Sequence, residues 1–381
     1  MKNEKSSTPP QANKTIFLKG DHFDYETLFY VIFLVLFGIL MVYSASSFTA
    51  YNMYGKSSYF AIRQFRAALI GFIGMYVASK LRYQFLKKWA KLLMLISIIL
   101  LLLVLIVGSV RNGSARWIQL GPLSFQPSEL AKLSLILYMA HICTARFNDL
   151  ETLQGTLKIF IYPGIMIILI AVENLSTALI CGAIAIFIWL IVTPKPRYFF
   201  LAIVAGAILF FAMLALKGYR SERIYAWRHP ESSDKGYQTM QALYAIGSGG
   251  WFGKGLGQSI QKRGFIPEAQ NDMIFSIVCE ELGIVGAFCV ILVFIFLLWR
   301  LKTIANCTND LFGSLIIVGV ISHIACQAIL NMFVVTNIFP NTGVTLPFIS
   351  YGGTSLSMLL LEMGIVLSVS RQIPTDFSSL T

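Results

Sequence analysis

Apolar runs long enough to cross a lipid bilayer recur along this chain, near residues 25–47, 65–80, 91–110, 129–145, 158–173, 175–193, 198–217, 272–299, 312–335 and 353–370. A helical crossing takes about 20 such residues, and inside hydrocarbon only a helix or a closed barrel satisfies its own backbone. The ten runs predict an all-α, polytopic membrane protein with about ten transmembrane helices. Composition agrees: 56% of the 381 residues are hydrophobic and 13% are charged, about half the charged share of a soluble domain. The runs at 158–173 and 175–193 almost touch at Glu173–Asn174, which predicts a tight hairpin.

Basic residues in short loops set the orientation. Lys80, Arg82, Lys87, Lys88 and Lys91 lie between the second and third runs, Lys195 and Arg197 follow the sixth, and Arg300 and Lys302 follow the eighth. With the lysine-rich amino tail, all fall on one side of a ten-helix drawing, so both termini are expected in the cytoplasm. The division that follows is a disordered tail at 1–24, one membrane domain at 25–371 and a second tail at 372–381. A long extracytoplasmic loop, 217–271, joins helices 7 and 8. No cleavage site of signal-peptide type follows the first run, so that helix is expected to be retained. The net charge of +12 is split among short loops, which argues against nucleic acid and for a membrane surface or an anionic ligand. Six scattered cysteines and four dispersed histidines contain no CxxC and no metal-ligand spacing.

Four segments carry candidate chemistry. In Asn112–Leu133, Arg116 beside Trp117 suits phosphate at the interface, because a guanidinium fork matches phosphate oxygens. Ser128 is placed to cap the following helix, and Glu129 and Lys132 share one helix face, either as a pair that fixes the bundle or as the lining of a cleft. Glu173 in ENLSTALI is either an interfacial charge or a partner for a metal or sugar hydroxyl. The stretch Gly253–Phe275 holds Lys254, Lys262 and Arg263 as phosphate-neutralising bases, with Glu268 and then Asp272 at the mouth of the eighth run. Charges at such a boundary are costly unless something uses them. Its glycines have neither Walker A nor GxGxxG spacing, so nucleotide binding is not supported. The fourth segment, Phe339–Ser355, is rich in Pro and Gly; it predicts a non-helical wall of the cleft with Ser350 as a substrate contact.

These motifs, NGSARWI, FQPSELAKL, AIGSGGWFGKGLGQS, IPEAQNDMIFSIVCEELG and LPFISYGGTS, occur in one order over about residues 25–371. In that order the chain resembles the SEDS family (shape, elongation, division and sporulation), which includes FtsW, RodA and SpoVE; PNTGVTLPFISYGG and the PEA before the aspartate look most like the FtsW/SpoVE branch. The resemblance implies a ten-helix peptidoglycan glycosyltransferase that polymerises lipid II at the outer face of the bacterial cytoplasmic membrane, enriched at the division septum. It implies a class B penicillin-binding protein as transpeptidase partner, along with other membrane proteins of the divisome or elongasome and the membrane lipids. The family's essential aspartate falls on Asp272, its fourth-helix glutamate and lysine on Glu129 and Lys132, its loop arginine on Arg116 and its PEA glutamate on Glu268. Two departures stand out: ENLST replaces PDLGT, with Asn174 where the acid would stand, and NDMIF replaces TDFIF.

The chemistry so implied joins an α-linked donor into a β-1,4 link, an inversion that one general base can serve. Asp272 would take the acceptor proton, while Arg116, Lys132, Lys254, Lys262 and Arg263 would stabilise the departing undecaprenyl pyrophosphate. A divalent cation, magnesium or manganese, is a candidate to share that task. The rival readings are a lipid II flippase and a non-catalytic scaffold that activates its penicillin-binding partner. The apolar runs read as nearly free of charge inside, which favours chemistry at one face over passage through the bundle.

Overall fold

The structure, a computed structural model, describes residues 23–111, 114–120, 123–193, 225–232 and 236–373. The expected seventh span, 198–217, the basic loop with Lys195 and Arg197, and the tails except residues 23–24 and 372–373 lie outside the described residues. The helices are α1 (Tyr25–Tyr54), α2 (Tyr59–Lys80), α3 (Leu86–Val107), α4 (Pro127–Ala145), α5 (Leu153–Glu173), α6 (Leu175–Val192), α7 (Tyr237–Gly249), α8 (Ile274–Cys307), α9 (Leu311–Val335) and α10 (Gly353–Ser370). Among the described residues, eight helices are long and apolar enough to cross a membrane. The chain is an all-α, multi-pass membrane protein.

The helix α4 is not among those eight, yet it is the most enclosed: 15 of its 19 residues are buried, Glu129 and Lys132 included. Charge lowers its hydropathy, while neighbouring helices rather than lipid surround it. Its start differs from expectation. Pro127 occupies the first turn, where a missing N–H costs nothing, and Gln126 is the cap residue; Ser128 instead accepts a hydrogen bond from Gln126 Nε2 at 3.0 Å. The hairpin between α5 and α6 forms as expected, with Asn174 Oδ1 accepting from Thr177 N at 3.2 Å to cap α6.

One end of the bundle is tied by charge. Arg300, late in α8, pairs with Asp24 at 3.0 Å and Glu26 at 3.3 Å at the start of α1. Gln84, between α2 and α3, donates to Gln372 at 2.7 Å, and Arg371 lies 4.7 Å from the Phe23 ring. The start of α1, the α2–α3 loop, the end of α8 and the end of α10 therefore share one face, as expected for those of the basic loops that are described. The opposite end carries the irregular segments. There β1 (Ser109–Arg111), β2 (Ser114–Leu120) and β3 (Leu123–Phe125) form a small antiparallel sheet where only turns were expected. The helix α7, also unforeseen, lies within the long loop.

Candidate active site

The segment from Thr336 to Gly352 is non-helical, and its second half turns inward: Val344, Leu346, Phe348, Ile349 and Ser350 are each at most 6% exposed. Irregular backbone in that position must find its hydrogen bonds inside the protein. Polar side chains on the surrounding helices supply them. Asn331 Nδ2 donates to Val344 O at 2.7 Å, and Gln327 Nε2 donates to Thr345 O at 3.0 Å. Gln64, buried on α2, donates to Ser350 O at 3.0 Å and accepts from Gly352 N at 3.1 Å. The segment closes on itself where Leu346 N donates to Ser350 Oγ at 2.7 Å. Ser350 is thus occupied in shaping the segment. The helix α1 approaches so closely at Gly38 that a β-carbon there would lie 2.5 Å from Phe348 O.

Asp272 is the residue this wall presents. It precedes α8, whose cap residue is Met273, and is half-buried. Its backbone carbonyl accepts from Asn331 Nδ2 at 2.7 Å, the same amide that holds Val344. Its carboxylate lies against Gly343, 3.9 Å from where a β-carbon would stand, and Gly343 is exposed. Just upstream, Glu268 adopts the left-handed region at φ 49°, where a residue with a side chain is uncommon. It is held there because Asn271 N donates to its carbonyl at 2.9 Å and Asn271 Nδ2 to its carboxylate at 2.7 Å. Glu268 therefore shapes the turn that delivers Asp272.

Asn331 and Gln327 sit one turn apart on α9, and through Gln327 the same wall reaches α4. Lys132 Nζ donates to Gln327 Oε1 at 2.9 Å and pairs with Glu129 at 3.0 Å. Lys132 is 2% exposed, so its ammonium is spent on protein partners. Hydrogen bonds from Asn331 and Gln327, the backbone of Val344 and Thr345 between them, and the Lys132–Glu129 ion pair thus join Asp272, Lys132 and Glu129 into one construction. Arg116 belongs to β2, and its side chain lies outside the described residues; Thr354 Oγ1 ties the sheet to α10 by donating to Ser124 O at 3.0 Å.

The bases of the long loop separate into two groups. Lys262, 5% exposed, pairs with Glu281 at 2.7 Å and donates to Ser44 at 2.9 Å on α1. Lys254 pairs with Glu280 at 2.7 Å, and Glu280 also accepts from Ser259 Oγ and from Ile260 N at 3.1 Å. Both ammonium groups are thus committed to carboxylate partners, Lys262 in the interior and Lys254 with 28% of its side chain exposed. Arg263 is exposed and unpaired among the described residues. The loop is further laced to a break in α8, where Lys254 N and Gly255 N donate to Glu280 O and Glu281 O, and Ile284 N and Val285 N donate to Gly250 O and Trp251 O. Gly283 at φ 70° and Gly253 at φ 77° make the break; a β-carbon on Gly253 would lie 2.2 Å from Glu281 O.

The interior is not free of charge, contrary to expectation. Glu280, Glu281, His323 and Glu362 are each at most 1% exposed within α8, α9 and α10. Each has a partner, and each is outnumbered by apolar residues in its run, so an average over the run conceals it. Gln64, Gln327 and Asn331 also escaped notice, because their role is to satisfy irregular backbone that only folding brings to them. Among the described residues no three His, Cys, Asp or Glu side chains converge to hold a metal ion.

Residues 25–374 match the FtsW/RodA/SpoVE family of cell cycle proteins. The chain belongs to that family. It is 40% identical over 345 residues to stage V sporulation protein E of Bacillus subtilis (strain 168), covering 89% of this chain and 94% of that one. It is 38% identical over 357 residues to a probable peptidoglycan glycosyltransferase FtsW of Geobacter sp. (strain M18), covering 92% and 97%. Among solved structures, a chain of a peptidoglycan synthase complex superposes with a TM-score of 0.79 at 27% identity, covering 93% of this chain and 99% of that chain. The rod shape determining protein RodA of Thermus thermophilus superposes with a TM-score of 0.68 at 28% identity, covering 93% and 98%. The FtsW/RodA/SpoVE fold thus spans nearly all of this chain.

Proposed function

We propose that this family member is a peptidoglycan glycosyltransferase that joins lipid II into β-1,4-linked glycan strands at the outer face of the bacterial cytoplasmic membrane. The observation that carries this reading is Asp272: a half-exposed carboxylate at the edge of a rigid wall, backed by Asn331 and linked through α9 to Lys132 and Glu129. Preorganised groups of this kind suit a reaction whose charge develops in the transition state. Asp272 takes the proton from the 4-hydroxyl of the acceptor N-acetylglucosamine. That oxygen attacks the anomeric carbon of the donor N-acetylmuramic acid, and the bond to undecaprenyl pyrophosphate breaks with inversion.

Arg116 and Arg263 are assigned to the leaving pyrophosphate, because planar guanidinium donors match its oxygens. Lys132 with Glu129 forms the floor beneath the donor. Lys254 and Lys262 hold the loop to α8 and are withdrawn from the phosphate-binding set, as is Ser350 from direct substrate contact. Similarity to stage V sporulation protein E and FtsW supports a role in division or related wall synthesis, with enrichment at the septum and both termini in the cytoplasm. A class B penicillin-binding protein is the proposed crosslinking partner, as the likeness to a chain of a peptidoglycan synthase complex suggests.

The test is glycan-chain formation from purified lipid II, comparing the native chain with Asp272→Asn. Each is assayed with and without the cognate penicillin-binding protein lacking its transpeptidase serine. Polymer from the native chain alone is expected. Equal polymer from a folded Asp272→Asn chain would remove Asp272 from the mechanism. If neither chain makes polymer with the partner present, the flippase and scaffold readings take its place, and lipid II translocation in vesicles separates those two.

A further inference from the structure

Five buried polar side chains run in an unbroken line from α10 to α4. Glu362 Oε2 lies 2.8 Å from His323 Nδ1, and His323 Nε2 lies 3.0 Å from Gln327 Oε1. That oxygen also accepts from Lys132 Nζ at 2.9 Å, and Lys132 pairs with Glu129 at 3.0 Å. None of the five is more than 7% exposed. Glu362, His323 and Gln327 have no part in the chemistry assigned above.

The directions of these hydrogen bonds can be worked out from which groups are only donors and which only acceptors. An ammonium has only donors, so Gln327 must turn its oxygen toward Lys132. Its amide nitrogen then donates to Thr345 O, which only accepts. Flipping the amide would set like against like at both ends. Because Gln327 offers His323 an oxygen, Nε2 of His323 must carry a hydrogen. Nδ1 then faces a carboxylate oxygen at 2.8 Å. That approach is a hydrogen bond only if one proton lies between the two. Either an imidazolium donates to a carboxylate, or a carboxylic acid donates to a neutral imidazole. The pair is neutral in both forms, as is Lys132 with Glu129, so the line places no lone charge in a buried site.

We infer that Glu362 and His323 are a proton-holding pair that fixes the amide of Gln327 and, through it, the position of Lys132. They are positioning residues, since they act on the site only through Gln327. The inference rests on the reading that Lys132 and Glu129 belong to the active site. It makes an asymmetric statement about Glu362. Replacing it with Gln keeps a donor for Nδ1 and leaves the Nε2 hydrogen in place. Replacing it with Leu removes that donor, frees the imidazole to change tautomer and lets an Nε2 lone pair face the Gln327 oxygen.

Two measurements test it. The first is the ¹⁵N spectrum of the full chain labelled at histidine, with the His323 signals identified by their loss in His323→Leu. A protonated Nε2 is expected in the native chain and in Glu362→Gln. An unprotonated Nε2 in the native chain overturns the inference whether or not the chain makes glycan, which keeps this failure distinct from failure of the glycosyltransferase reading. The second is lipid II polymerisation with the partner present, kcat and KM taken separately. Glu362→Leu should lose kcat by about tenfold or more with KM nearly unchanged, while Glu362→Gln stays within about twofold of the native chain. Equal loss in the two variants, or no loss in Glu362→Leu, overturns the inference. Should Glu362→Leu not fold, the spectrum of the native chain decides alone.

Discussion

Replacing Lys262 with Met separates two roles that the sequence alone leaves entangled, ligand group and structural ion. The structure buries Lys262 Nζ 2.7 Å from Glu281 Oε1, with side-chain exposures of 5% and 0%. Removing one member of such a pair costs about 3–5 kcal/mol, because the other charge stays buried. Glu281 would keep Ser44 Oγ at 2.7 Å and Ser259 N at 3.3 Å as donors, which places the loss near the lower end, about 3 kcal/mol. A second change, Glu281→Gln, removes the stranded charge and keeps an acceptor for both donors. The Lys262→Met/Glu281→Gln chain should therefore recover about 2 kcal/mol, a factor of about thirty in the unfolding equilibrium. The assay is thermal or denaturant unfolding in detergent micelles, with glycan synthesis measured alongside. The single variant should unfold well before the native chain and the double variant between them, with polymerisation restored in the double variant at temperatures where it stays folded. A single variant that unfolds like the native chain but makes no glycan would refute this reasoning and return Lys262 to the phosphate-binding set.

Two further outcomes follow from close backbone approaches. Gly38→Val would drive side-chain atoms into Phe348 O, 2.5 Å from even a β-carbon; the wall beside Asp272 must shift, and polymerisation should fall by about tenfold or more while the chain still inserts and melts cooperatively. Gly283→Ala would place a β-carbon 2.4 Å from Trp251 O at φ 70°, ψ −168°, a conformation open essentially to glycine alone, adding about 1–3 kcal/mol of backbone strain to the clash; proteolysis within 250–264 should quicken, and an unchanged cleavage rate would mean that the loop is not pinned there.

The membrane class was plain in the sequence because it is a property of composition and run length, both local. The α5–α6 hairpin was equally plain, since a two-residue interruption between apolar runs leaves the chain no other path. The gathering of basic loops on one face was legible too, because that bias is written residue by residue. The motif residues Glu129, Lys132, Glu268 and Asp272 could be picked out because charges beside apolar runs are conspicuous.

What each charge touches was decided only by tertiary structure. Lys132 read either as a bundle-fixing partner of Glu129 or as the lining of a cleft; the fold shows the pair and brings Gln327 to it across 195 residues of chain. Lys262 and Lys254 looked like phosphate ligands until the break at Gly283 set Glu281 and Glu280 against them. Glu362 and His323 vanished into apolar averages, because a single polar residue among many apolar ones barely lowers the mean of its run. Ionic and hydrogen-bond partners are chosen by proximity after folding, so a sequence can show that a charge needs a partner while only the packed bundle shows which partner it has.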